Sequence, residues 1–217
     1  MTNQQILDML NNDEIDELKL RLKAEIISEG YSSDEKKRLK AKDTFFKNDI
    51  SPIAGTNKPF INGDKLVLFN NCCCVETSET DCAVDVSKKP SKQLLEAMDI
   101  ALHKSIDITK VEPIKVNLRE LLIGERAEGY KILKKNFYRP YPFRIEYNES
   151  EFNTALVELG FNIIDDNEIP TIYISGNYMW IETSIGKCVV MRIGDSKSDV
   201  FTKYKIRRLI LKTSETE

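Results

Sequence analysis

Nucleophilic, acid–base or metal chemistry in this chain has to be built around one histidine, His103, and five cysteines, Cys72, Cys73, Cys74, Cys82 and Cys188. Three of the cysteines are consecutive. Neighbours on a strand point to opposite faces, so the set is no disulfide framework and suits a reducing compartment. A zinc-type site needs paired Cys or His at spacings that let several ligands converge, and the chain has neither CxxC nor HxxxH. Cys72 and Cys74 are expected to share one strand face and pack as small apolar residues, with Cys73 on the other face. His103 follows Leu94, Leu95, Met98, Ala101 and Leu102, whose spacing is helical. That puts it in a last helical turn, where partial positive charge complements the dipole. The carboxylates of Asp165-Asp166-Asn167-Glu168 can serve a divalent cation, but a turn needs the same residues, and a turn is expected. The chain lacks GxxxxGK[ST], GxGxxG opening a helix, HExxH and GxSxG. The expectation is a protein without catalytic residues, cofactor or metal.

Grouped cations offer a different chemistry, contact with phosphate. Lys36, Lys37, Arg38 and Lys40 cluster after Ser32 and Glu35, a capping-box pair that opens a helix. Lys203, Lys205, Arg207 and Arg208 lie in a tail, Lys203 to Lys212, that holds no acid. Its Ile206, Leu209 and Ile210 fit one face of a helix or an edge strand, so the tail is either a phosphate or partner arm or the final element of the fold. From Glu125 to Tyr141, Tyr130, Phe137, Tyr138 and Tyr141 stand among Arg126, Lys131, Lys134, Lys135 and Arg139. That interleaving suits a single-strand binding surface, and equally an ordinary strand with one wet face.

Length and composition set the frame for these groups. The 217 residues are 41% hydrophobic and 31% charged, enough to bury a core in one large domain or two small ones. Lys and Arg number 32 against 35 Asp and Glu, a formal charge of -3, so net charge does not hold the chain to nucleic acid. No apolar run approaches the roughly 20 residues of a membrane span, and Met1 to Leu10 lacks a secretory pattern. A cytoplasmic protein is expected.

The elements that must position the cations read as α+β. Thr2 with Gln5 marks one helix start. Asp13 can cap a helix with a stripe of Ile15, Leu18, Leu22 and Ile26, closed by Gly30. After the Ser33 helix, Pro52 and Gly55 interrupt. Lys58 to Phe69 then reads as a hairpin around Asn62-Gly63-Asp64. Cys72 to Glu76 is a third strand. Pro90 opens the helix of Leu94 and Met98, Pro113 to Val116 is extended, and Asn117 with Glu120 caps a short helix over Leu118 to Ile123. Phe143 to Tyr147 alternates as a strand. Asn148 and Glu151 suggest the cap of a helix with Phe152, Ala155, Leu156 and Leu159 buried, stopped by Gly160. Thr171 to Ile174, Tyr178 to Glu182 and Lys187 to Ile193 follow as three strands with tight turns.

The order helix, hairpin, strand after Ser33 recurs after Glu149. In each copy a proline begins an extended pair, and a Gly turn leads to an apolar strand, Leu66-Val67-Leu68-Phe69 or Tyr178-Met179-Trp180-Ile181. This order resembles the repeating unit of DNA sliding clamps of the polymerase III beta-subunit type, above all the short clamp-like proteins of phages and prophages. The likeness rests on Lys58 to Asn71, on Ile114-Lys115-Val116-Asn117-Leu118-Arg119-Glu120-Leu121-Leu122, and on Phe143 to Ile193 with its final strand Val189-Val190-Met191-Arg192-Ile193. The threonine–aspartate–glycine turn that usually follows the first stretch is missing. The resemblance implies a clamp-like pair of helix-plus-antiparallel-meander repeats over 32–194, an N-terminal helical segment over 1–31 and a basic tail over 195–217. It implies a non-catalytic scaffold in DNA replication or its regulation. Partners would be duplex DNA without sequence specificity, replication or host proteins, and further copies of the chain in a homo-oligomer. DNA contact would run through Lys36, Lys37, Arg38, Lys40, Lys203, Lys205, Arg207 and Arg208. The second inner helix, expected over Glu149 to Leu159, carries Glu149, Glu151 and Glu158 and no cation. That departure keeps open a protein-only interaction or inhibitor module of the same fold.

Overall fold

The structure, a computed structural model, describes residues 15–47, 58–70, 72–86, 90–122, 143–147, 150–192 and 207–210. The expected cap at Thr2, the basic–aromatic stretch over 125–141, Glu149, Lys203 and Lys205 lie outside these residues.

Two helices open the described chain, α1 (Ile15–Ile27) and α2 (Ser33–Lys47). The capping box between them forms as the sequence predicts. The Ser32 N–H donates to Glu35 Oε2 at 2.7 Å, and the Glu35 N–H donates to Ser32 Oγ at 3.3 Å. Of the α1 stripe, Leu18 is buried, while Leu22 is 43% and Ile26 70% exposed. The stripe therefore serves the core at one end only.

The strands β1 (Phe60–Asn62), β2 (Lys65–Phe69) and β3 (Cys73–Thr77) form an antiparallel meander, turning first at Gly63, which takes the left-handed φ of 64°. Helix α3 (Lys92–Asp99) is capped by Ser91, whose side chain accepts from the Leu94 N–H; Pro90 stands before the cap. It runs on into a π-helical turn, Ile100–Lys104. A 3₁₀ turn (Ile108–Lys110), β4 (Ile114–Lys115) and a helical turn over 118–122 follow. Next come β5 (Phe143–Tyr147), β6 (Ser150–Asn153), α4 (Thr154–Ile164), β7 (Thr171–Ser175), β8 (Tyr178–Thr183), β9 (Gly186–Met191) and β10 (Arg207–Ile210).

Seven strands pair as one antiparallel sheet in the order β1-β2-β3-β9-β8-β7-β4, and β10-β5-β6 form a second sheet of three. The fold is α+β. The seam of the large sheet is β3 against β9, with Cys73 opposite Val190 and Thr77 opposite Gly186. In the small sheet, Arg207 and Arg208 run parallel to Phe143 and Arg144, so part of the expected tail is a strand of the fold.

Both faces of the large sheet are covered, which is why its strands read as nearly unbroken apolar runs. On one face α2 and α4 bury Phe45, Val157 and Phe161 against Leu66, Leu68, Val75, Ile181 and Val190. On the other, α3 and its π-helical extension bury Leu94, Met98 and Leu102 against Val67, Phe69, Trp180 and Val189. Leu95, expected in that apolar set, is 36% exposed.

Two expectations around α4 are corrected. Residues Ser150–Asn153 form a strand, and the cap is Asn153, whose Oδ1 accepts the Ala155 N–H at 2.9 Å and the Leu156 N–H at 3.4 Å. Pairing with β5 holds 150–153 extended and outweighs the capping signal at Asn148. Gly160 does not stop the helix. It sits inside, where a Cβ would overlap Cys188 Sγ and approach Cys73 Sγ to 3.0 Å, so its bareness lets α4 close on the β3–β9 seam.

Candidate functional site

The cations of α2 divide by helix face. Arg38 turns inward: its Nε reaches both Glu79 carboxylate oxygens at 2.9 and 3.0 Å, its Nη2 donates to Glu79 at 2.6 Å and its Nη1 to the Asp165 carbonyl at 3.0 Å. The Glu79 carboxylate raises the Arg38 pKa above its ordinary value. Lys42, one turn on, is only 1% exposed and donates to the carbonyls of Glu79 and Asp81 at 2.7 and 3.0 Å. Burial pushes its ammonium below the usual lysine range, against the opposing pull of Glu79. Tyr31 donates to the Asp81 carboxylate, which with partial burial pushes its phenol up to about 12. Lys23 of α1 pairs with Asp85 at 2.7 Å. The acidic loop over 78–86 thus straps the inner edge of α2 and ties α1 to it.

Lys36, Lys37 and Lys40 remain exposed on α2. Lys37 reaches Asp34 at 2.7 Å, an exposed (i, i+3) pair of little energetic weight. Lys36 and Lys40 have no ion-pair partner among the described residues. Lys37 and Lys40 border a cleft of about 530 Å³ between α2, α4 and the 118–122 turn. Its walls also carry Asp34, Arg119, Glu158, Asp165 and Asn167.

Arg119 is a cleft residue that the sequence reading did not single out. Asn117 caps its turn as expected, accepting the Glu120 N–H at 3.3 Å. Leu118 and Leu122 then bury in the core, with Leu122 also bordering the cleft that Arg119 faces. That (i, i+4) pair was the available signal. Arg119 makes a forked pair with Asp165, its Nε at 2.9 Å, and the carboxylate raises its pKa. The Asp165–Glu168 segment is the turn the sequence predicts. The Asp165 and Asp166 side chains accept the Asn167 and Glu168 N–H groups, and Asn167 takes φ of 70°. Asn167 then donates to Asp34 at 2.9 Å, and Lys37, helped by Asn167, holds that carboxyl below the usual range.

The cleft is therefore a mixed-charge surface on which Asp34 and Asp165 are tied to cations. It can hold phosphates on Lys37 and Lys40, or a peptide bearing both charges. The expected acidity of the second helix shrinks. Glu151 belongs to β6, and α4 itself carries Glu158 alone. Arg207 and Arg208 are in β10, in the small sheet.

Cys72, Cys73, Cys74 and His103 lie elsewhere. His103 is exposed in the π-helical turn on the opposite side of the large sheet. Cys73 and Cys74 are buried on opposite faces of β3, and Cys72, just before the strand, is exposed. No helix among the described residues is long and apolar enough to cross a membrane. In comparisons with known proteins, no family model, no curated protein and no solved structure matches this chain.

Proposed function

We propose that this chain is a non-catalytic, sliding-clamp-like scaffold of phage or prophage origin, acting in DNA replication or its regulation through phosphate-backbone and protein contacts. One observation carries the reading. α2 leads into the meander β1-β2-β3, α4 leads into β7-β8-β9, and the two meanders join edge to edge at β3–β9 beneath the two helices. The helix layer is then the DNA side. Lys36, Lys37 and Lys40 contact phosphates, Arg38 and Arg119 hold the helices and loops that present them, and nothing reads base edges. Lys203, Lys205, Arg207 and Arg208 supply a second basic element. Several copies complete a ring around the duplex.

Such contact is electrostatic and falls with salt. The test is fluorescence anisotropy of a labelled duplex across a salt series, with wild type and the triple variant K36E/K37E/K40E. These side chains are exposed, so the fold is expected to survive. For every phosphate that a substituted lysine no longer neutralises, the slope of log K against log salt becomes shallower by about 0.9. Unchanged binding by the triple variant, or salt-independent binding by wild type, overturns the reading.

Asp34, Glu158 and Asp165 in the cleft favour a second reading, a protein-only interaction or inhibitor module that binds no DNA. In that case wild type shows no salt-sensitive association with duplex, and the triple variant retains its protein partner.

A further inference from the structure

The sheet face opposite the cleft carries an apolar recess of about 290 Å³, walled in part by Phe69, Ile100 and Tyr178. Four of its other residues carry sulfur: Cys72, Cys73, Cys74 and Met191. The placement of Cys72, Cys74 and Met191 follows from strand register. Cys73 pairs with Val190 and Cys74 with Val189, and the Met191 N–H donates to the Cys72 carbonyl at 2.9 Å. Cys72 therefore stands across from Met191. Alternation puts Cys74 and Met191 on the face of Val189, and the bond to Met191 continues the ladder to Cys72, just before the strand, while the Cys73 side chain turns to the other face to meet Cys188, Sγ to Sγ 3.7 Å. The main chain at Cys72 is pinned from the other side. Asn70 Oδ1 accepts the N–H groups of Cys72 and Cys73 at 2.9 and 2.7 Å. Cys74, 2% exposed, forms the floor, and Met191, 42% exposed, forms the rim with the exposed Cys72.

Thiolates and thioethers are soft donors that select Cu(I) over hard cations. Among the described residues no three His, Cys, Asp or Glu side chains converge, so the donors gathered here are two thiols and a thioether rather than a zinc cage. We propose that Cys72, Cys74 and Met191 form a binding site for a soft monovalent cation of the Cu(I) class. The site does not depend on what the cleft binds. On binding, the two S–H protons pass to solvent, two metal–thiolate bonds form, and the Met191 sulfur donates a lone pair as third ligand. The ion stays in its +1 state, and no oxidant or reductant enters.

The experiment titrates the full chain anaerobically with Cu(I) against a chromophoric Cu(I) chelator, following the ultraviolet thiolate-to-metal band. Wild type is expected to withdraw one equivalent per chain. C72S is expected to lose that uptake. M191L keeps the side-chain volume and is expected to weaken uptake about tenfold. C82S, outside the recess, is expected to match wild type. C74S perturbs a buried position, so the decision rests on C72S and M191L at the rim, each checked for an unchanged thermal melt. The proposal is overturned if wild type takes up no stoichiometric Cu(I), if C72S or M191L binds as tightly as wild type, or if C82S reduces uptake as much as C72S does.

Discussion

At the scale of single residues, the tightest constraint is the meeting of Gly160 with Cys73 and Cys188. Helix α4 rests on the β3–β9 seam only because position 160 lacks a Cβ. Gly160→Ala is expected to cost about 1–3 kcal/mol by overpacking, despite the better helix propensity of alanine. Cys188→Ala in the same chain is expected to recover part of that loss, because the two side chains compete for one space. Urea unfolding of both single variants and the double variant measures the coupling, and strict additivity would remove the packing account. The sequence misleads at this residue for a physical reason. A glycine after an apolar helical stripe signals a C-terminus, and only the sheet below reveals that it marks a close approach. Lys42 is opaque in the same way. In a run of lysines it is indistinguishable from Lys40, yet it is buried and bonded to the carbonyls of Glu79 and Asp81.

At the scale of elements, local signals succeed where the partner is local. The Ser32–Glu35 box, the Asn62-Gly63-Asp64 turn, the Asn117 cap and the three strands of β7-β8-β9 all follow from residues within a few positions of one another. The 150–153 strand does not, because its pairing partner β5 overrides a plausible cap. The 3₁₀ turn after α3 gives an element-scale prediction. Asp107 accepts from the Thr109 side chain at 2.6 Å and pairs with Lys110 at 2.8 Å. The hydrogen bonds of Lys110 and Thr109 lower its carboxyl to about 2 from 3.8. A carboxyl depressed in the folded state adds stability above its unfolded pKa and loses it as pH falls through the folded one. The melting advantage of wild type over Asp107→Asn is therefore expected to be full above about pH 5, to shrink as pH falls through 3.8 toward 2, and to vanish below about pH 2. Asparagine keeps the capping geometry, so melting curves across that window isolate the charge. An advantage undiminished between pH 4 and pH 2 would contradict this account.

At the scale of the whole molecule, the α+β class is legible along the chain, while the candidate site is legible only in part. Lys36, Lys37 and Lys40 can be named because clustered charge is visible in one dimension. The neutralising of Arg38 by Glu79 spans 41 positions, and Arg119 joins Asp165 across 46, so neither can be read along the chain. If the scaffold proposal holds, gel filtration with light scattering at low and moderate salt, with and without a short duplex, yields a discrete higher oligomer or a salt-sensitive shift on adding DNA. A monomer or simple dimer indifferent to duplex would count against encirclement.

The β3–β9 seam also governs the order of events during biosynthesis. The first meander emerges from the ribosome complete in itself, but the outer edge of β3 has no strand to bond until Gly186–Met191 has been made. At ordinary synthesis speeds that wait is roughly ten seconds. For that time Val75 and its neighbours present an open, apolar strand edge, and for most of it the covering helix α4 is missing too. An unpaired edge of that kind recruits other strands, so the yield of the nascent chain is expected to depend on how well that waiting edge is guarded.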